Sequence, residues 1–144
     1  MKRSIIALLI TFAFSIFLSG CISSNNNEDY YKLAIGERFW ENRDGCVYKL
    51  NDYTLLQKSF SDKENDFIKR IDAENTDEDI VNGSETLIED KFKKCYCNNH
   101  YIILFLDSNE KIIVINCDDF SYQYYKELSN IPVSLNELTL IDFQ

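Results

Sequence analysis

The chain has 144 residues, with 45% hydrophobic residues, four glycines and one proline. That is enough apolar content for one packed domain, and too little Gly and Pro for a collagen-like or low-complexity chain. Its 24 acidic against 15 basic residues give a net charge of −9, which excludes a general nucleic-acid binder, because such a surface clusters Lys and Arg against phosphates.

Lys2 and Arg3 precede an apolar run, Ile5–Leu18. As a helix this run spans about 21 Å, short of the roughly 30 Å hydrocarbon core of a bilayer. A charged start, a short apolar stretch and small residues behind it make a secretory signal peptide. The run ends in Leu18-Ser19-Gly20-Cys21, which resembles the lipobox of bacterial lipoproteins. The resemblance implies cleavage between Gly20 and Cys21, a diacylglycerol thioether on Cys21 and acylation of the new amino group by a fatty acid such as palmitate. Two or more chains give a stable anchor where one gives marginal binding. The expected partner through Cys21 is therefore membrane lipid, and the expected location is extracytoplasmic, anchored to the bacterial cell membrane at the envelope.

The polar stretch Ile22–Asp29 lacks periodicity and reads as a tether. The expected organisation is a signal peptide over 1–20, the lipidated cysteine and tether over 21–29, and one small globular domain over 30–144.

In that domain, Cys46–Leu50 and Tyr53–Gln57 flank Asn51-Asp52 and read as a hairpin. Phe67–Asp72 and Glu85–Asp90 are further strand candidates on either side of an acidic loop, Glu74–Gly83. Phe92–Cys97 is placed antiparallel beside Tyr101–Leu106, which pairs in turn with Lys111–Cys117 around Asp107–Glu110. The last two arms are almost continuously apolar, as strands covered on both faces are. Asp118 or Asp119 can cap a helix over Phe120–Ser129, whose Phe120, Tyr124 and Leu128 share one stripe. Asn130-Ile131-Pro132 would end it. Ser134 and Glu137 fit a capping box for a last short helical turn, with a final strand through Leu138–Phe143 as the equal alternative. The expected fold class is α+β, mainly antiparallel sheet with one C-terminal helix.

A signal sequence followed by a Tyr-rich hairpin, the "YIILFLD…KIIVINCDDF" hairpin and "YYKELSNIPVSL" resembles a family of small uncharacterised Gram-positive lipoproteins. The likeness is one of layout over about a hundred residues. It implies the same address and fold, and no activity.

Four cysteines follow Cys21: Cys46, Cys95, Cys97 and Cys117. An even number in an exported domain suits disulfides. Cys95 and Cys97 share one strand face and bond poorly to each other, which leaves 46–95 with 97–117, or 46–97 with 95–117. The alternative is a Cys/His metal or redox protein, since Cys95, Cys97, His100 and Cys117 offer three thiolates and an imidazole of the kind zinc takes. Against it stands the C-x-C spacing, which is not the usual zinc pattern.

Other chemistry is thinly supported. The acidic run Asp72, Glu74, Asp77, Glu78 and Asp79 lacks the glycine and glutamate of an EF-hand loop. Ser108, His100 and Asp107 lie within one hairpin and do not converge as a triad. No phosphate-binding glycine loop or dinucleotide fingerprint occurs, so no cofactor is expected. Tyr30-Tyr31, Phe39-Trp40 and Tyr122, Tyr124 and Tyr125 could form a face for peptide or sugar, set against the plainer reading as core residues. The sequence therefore predicts a non-enzymatic binding or interaction module with an envelope protein or peptide partner.

Overall fold

The computed structural model describes residues 27–72 and 80–143. The leader, the lipobox, Cys21 and most of the acidic loop, including Glu74, Asp77, Glu78 and Asp79, lie outside them. A short helix, α1 (Asn27–Lys32), is followed by ten strands: β1 (Arg38–Glu41), β2 (Gly45–Asn51), β3 (Thr54–Ser59), β4 (Asp66–Arg70), β5 (Glu85–Asp90), β6 (Phe92–Cys97), β7 (Tyr101–Leu106), β8 (Ile112–Asn116), β9 (Tyr122–Tyr125) and β10 (Thr139–Ile141). They form two antiparallel five-stranded sheets, one in the order β1-β2-β3-β4-β5, the other β10-β6-β7-β8-β9.

The inward faces of both sheets share one core. Tyr48, Leu50, Leu56, Ile68 and Ile88 of the first sheet meet Phe92, Ile102, Leu104, Ile113, Ile115 and Ile141 of the second. Each fully buried side chain of this size contributes about 1.5–3 kcal/mol. The outward faces are also covered in part. Tyr30 of α1 with Ile71 and Ile80 seals Val47 and Leu55, while Ile131, Val133, Leu135 and Leu138 lie over Ile103, Ile112 and Val114. This double cover is why the β7 and β8 arms are apolar at nearly every position, as their sequence predicts.

The chain changes sheets within one residue, Lys91, between β5 and β6. Asp66, fully buried, holds that corner: it accepts from Lys58 Nζ at 2.8 Å, Ser59 N at 3.0 Å and Phe92 N at 2.9 Å. Lys91 Nζ donates to the carbonyls of Ser59 (3.3 Å), Ser61 (2.8 Å) and Glu64 (3.1 Å).

Three expectations are corrected. The β2–β3 turn is Asp52-Tyr53, one residue later than Asn51-Asp52, because the Asn51 side chain accepts from Tyr53 N (2.9 Å) and Thr54 Oγ1 (2.8 Å) and closes an Asx turn. Residues 27–29, expected as tether, belong to α1. The expected helix over Phe120–Ser129 does not form, so the fold is mainly antiparallel β, and helix beyond α1 is limited to 3₁₀ turns at Leu128–Asn130 and Leu135–Glu137 among the described residues. Asp119 accepts from Ser121 N (2.9 Å) and Oγ (2.7 Å), closing a turn where helix capping was expected. Phe120 takes φ +59°, which no right-handed helix continues. Tyr122–Tyr125 then completes the hydrogen bonding of β8 over Ile112–Ile115, which a helix would have left open.

Candidate functional site

One cross-strand row on the outer face of the first sheet stands apart. Trp40 pairs with Val47, Val47 with Gln57, Gln57 with Phe67 and Phe67 with Glu89, so one residue from each of β1 to β5 lies in line. At about 4.8 Å per strand, Trp40 and Phe67 stand roughly 14 Å apart with Gln57 between them. A bulge in β1 between Arg38 and Trp40 interrupts the alternation, and both Phe39 and Trp40 pack on this outer face against the Val47 cluster. A bulge re-aims a side chain in this way.

The row opens into a groove of about 520 Å³. Gln57 lies between two half-buried aromatics, Trp40 and Phe67. The walls are the β1–β2 turn, with Asn42 and Asp44, and the β3–β4 turn, with Lys63, Glu64 and Asn65. Asn42 Oδ1 accepts from Asp44 N (2.8 Å) and Gly45 N (2.9 Å), which shapes the first wall. Gly45 is required there: a Cβ would stand 2.3 Å from the Lys58 carbonyl oxygen. On the far side Asn65 Nδ2 donates to Glu89 Oε1 at 3.1 Å, and Lys69 Nζ lies 5.9 Å from the Phe67 ring centroid.

Gln57 Oε1 is buried with no hydrogen-bond partner, the only such side-chain atom among the described residues. A covered acceptor left unpaired costs about 1–3 kcal/mol, and native proteins satisfy nearly all of them. The groove is also acceptor-rich. Asp44, Glu64 and Glu89 line it against Lys63, while the charge of Lys58 is tied to Asp66.

The other expected residues are dispersed. All four described cysteines are buried and free. Cys46 lines the groove, and desolvation, the largest influence on it, raises its thiol pKa. Cys95, Cys97 and Cys117 form a separate group. Burial pushes Cys97 up to about 12 and Cys117 to about 11, with Cys95 also raised well, and Asn51 Nδ2 donates to Cys117 Sγ at 3.3 Å. Strand β7 lies between β6, which carries Cys95 and Cys97, and β8, which leads to Cys117. Two ladder spacings are about 10 Å, beyond the usual Cα reach of a disulfide.

His100 is exposed at that end of the molecule: its carbonyl accepts from Cys117 N at 2.8 Å, while its Nδ1 lies 3.3 Å from Asp118 Oδ1. Among the described residues no group of three or more His, Cys, Asp or Glu is placed to hold a metal ion. His100 precedes β7 whereas Asp107 and Ser108 follow it, so six residues of extended chain separate them.

The aromatic candidates divide as well. Tyr30 is buried, its hydroxyl donating to the carbonyls of Asn51 (3.0 Å) and Thr54 (2.7 Å), while Tyr31 is exposed. Tyr122 and Tyr124 are exposed on the edge strand, edge to face at 5.9 Å, and Tyr125 packs on the opposite face with Ile131 and Val133. A second, larger cavity of about 810 Å³ lies between Tyr53, Arg70, Asp118 and Phe120, where the Arg70 guanidinium is already stacked 4.4 Å from the Phe120 centroid.

Trp40 was legible in the sequence as a candidate; Gln57, Phe67, Asn65 and Glu89 were not, because only strand register aligns them. No family model, no curated protein and no solved structure matches this chain.

Proposed function

We propose that this protein is a lipid-anchored, non-enzymatic binding module at the bacterial cell envelope, held to the membrane through Cys21 and engaging its ligand in the Trp40–Gln57–Phe67 groove. The observation that carries the binding part is the covered, partnerless Gln57 Oε1 between two half-buried aromatic side chains. Apolar lining with a few convergent polar groups is the usual make-up of a ligand site. The groove contains no histidine, and burial disfavours the thiolate of Cys46, so its chemistry suits holding a ligand better than attacking one. The anchor rests on the lipobox resemblance of Leu18-Ser19-Gly20-Cys21 and the apolar run before it. From Cys21 to the start of α1 the chain reaches at most roughly 20 Å, which would hold the domain close to the bilayer.

Two measurements test the reading. Intact mass of protein extracted from membranes should give a chain starting at Cys21 with two or three acyl groups, and Cys21→Ala should abolish them; an unlipidated chain would remove the anchor. Hydroxyl-radical footprinting should label Trp40 and Phe67 less in intact cells than in purified protein. Equal labelling in both states would remove the binding module.

A further inference from the structure

We propose that the groove is a glycan-binding site, taking successive neutral sugar rings of one chain against Trp40 and Phe67 and a sugar hydroxyl onto Gln57 Oε1. The inference rests on the binding-module reading above and adds the chemical class of the ligand.

Three features select this class. First, the groove lies on the face of the sheet. Strands β2, β3 and β4 each pair on both sides, so the backbone beneath Gln57 and Phe67 is committed to the ladder, and free edge groups remain only on β1 and β5. An extended peptide recognised by strand addition needs a free edge. Recognition over Gln57 and Phe67 therefore falls to side chains.

Second, the side chains offered are flat apolar rings beside acceptors. Trp40 and Phe67 present ring surface, and Gln57 Oε1 lacks a donor. A sugar ring carries apolar C–H faces for the first and a rim of hydroxyl donors for the second. The terminal torsion of glutamine is soft, so the amide can turn its oxygen to an arriving hydroxyl.

Third, the groove carries no excess of positive charge. Asp44, Glu64 and Glu89 stand against Lys63 and the Lys69 ammonium at the Phe67 ring, while Lys58 and Lys91 share the one carboxylate of Asp66. An anionic polymer therefore finds no net positive surface to hold it, whereas a neutral glycan needs none.

Trp40 is the single tryptophan of the chain, so its fluorescence reports this groove alone. The test titrates the protein, purified from its own membranes in a zwitterionic detergent, with chitotetraose, cellotetraose, maltotetraose and the soluble glycan fraction of the producing cell's envelope. Parallel titrations use one acidic and one basic decapeptide. A saturable change in Trp40 emission with at least one glycan is expected. It should weaken tenfold or more in Gln57→Leu and in Phe67→Ala, with melting curves showing both folded, and stay within twofold of wild type in Tyr122→Ala on the other sheet.

Glycan binding unchanged in Gln57→Leu would overturn the site. A response to peptide alone would overturn the ligand class and leave the binding module standing. No response to any probe, with Trp40 still protected in cells, would likewise overturn only the glycan. No response together with equal footprints would overturn both readings.

Discussion

Asp66 and Lys91 meet at the corner where the chain leaves one sheet for the other, with Lys91 Nζ 3.5 Å from Asp66 Oδ1. The carboxylate is fully buried and also bound by Lys58 and by two backbone amides, one from each side of the corner. Such a hub is favourable only while complete, because removing one member leaves buried charge without compensation.

Asp66→Ala is therefore expected to cost about 3–5 kcal/mol, the usual loss on breaking a buried pair. Urea unfolding checks it, with the midpoint falling and the slope unchanged. A loss below about 1 kcal/mol, the level of an exposed pair, would mean the corner is held by packing alone.

Tyr30 joins α1 to the β2–β3 turn through two hydrogen bonds to carbonyls in a buried setting. Its ring also carries Lys49 Nζ at 5.4 Å, an ammonium that bonds the Tyr31 carbonyl at 3.1 Å and Asp52 at 2.7 Å. Tyr30→Phe keeps the ring and removes only the hydroxyl. It should destabilise by about 1–3 kcal/mol, since two buried acceptors lose a donor. Hydrogen exchange should show the loss first at Tyr53 and Thr54, and a neutral result would mean water replaces the hydroxyl.

What was legible in the sequence was whatever a local pattern determines. The apolar runs of β7 and β8 required cover on both faces, and the Asn51 region gave a turn to within one residue. Phe120, Tyr124 and Leu128 misled because i, i+4, i+8 spacing describes a helix stripe whether or not a helix forms. The deciding facts were the left-handed Phe120 and the open edge of β8, of which the second is a tertiary demand. Strand β1 escaped because its bulge breaks period two. The groove was illegible for a stronger reason: Trp40 and Glu89 are 49 positions apart in sequence, and only the register of four strand pairings sets them in one row.

The buried thiols make stability depend on alkaline pH. In the unfolded chain a thiol loses its proton near pH 8.5, whereas burial holds Cys97 protonated up to about 12 and Cys117 up to about 11. Below pH 8.5 both states keep the proton and stability is level. Above it the unfolded chain binds fewer protons than the native one, so stability falls as pH rises, by about 1.4 kcal/mol per pH unit for each fully affected thiol. Urea midpoints from pH 8 to 10.5 should decline, and Cys97→Ala should flatten the decline whatever it does to the midpoint at pH 8. Iodoacetamide at pH 8 should leave Cys95, Cys97 and Cys117 unmodified until the chain is unfolded. Rapid native alkylation of any of the three would mean that this end of the core opens readily.

Gln57 sets stability against binding. Its covered Oε1 has no donor, so the folded, unliganded protein carries an uncompensated desolvation cost that an apolar side chain of similar size would not. Gln57→Leu should raise the free energy of unfolding by about 1–3 kcal/mol, against the general trend that substitutions in a packed face destabilise. The same change removes the acceptor on which the proposed sugar hydroxyl depends, so stability and affinity should move in opposite directions in a single variant. A Gln57→Leu protein less stable than wild type would show that the amide oxygen is already satisfied, by water held beneath Trp40 and Phe67. The groove would then have lost its reason for wanting a ligand donor.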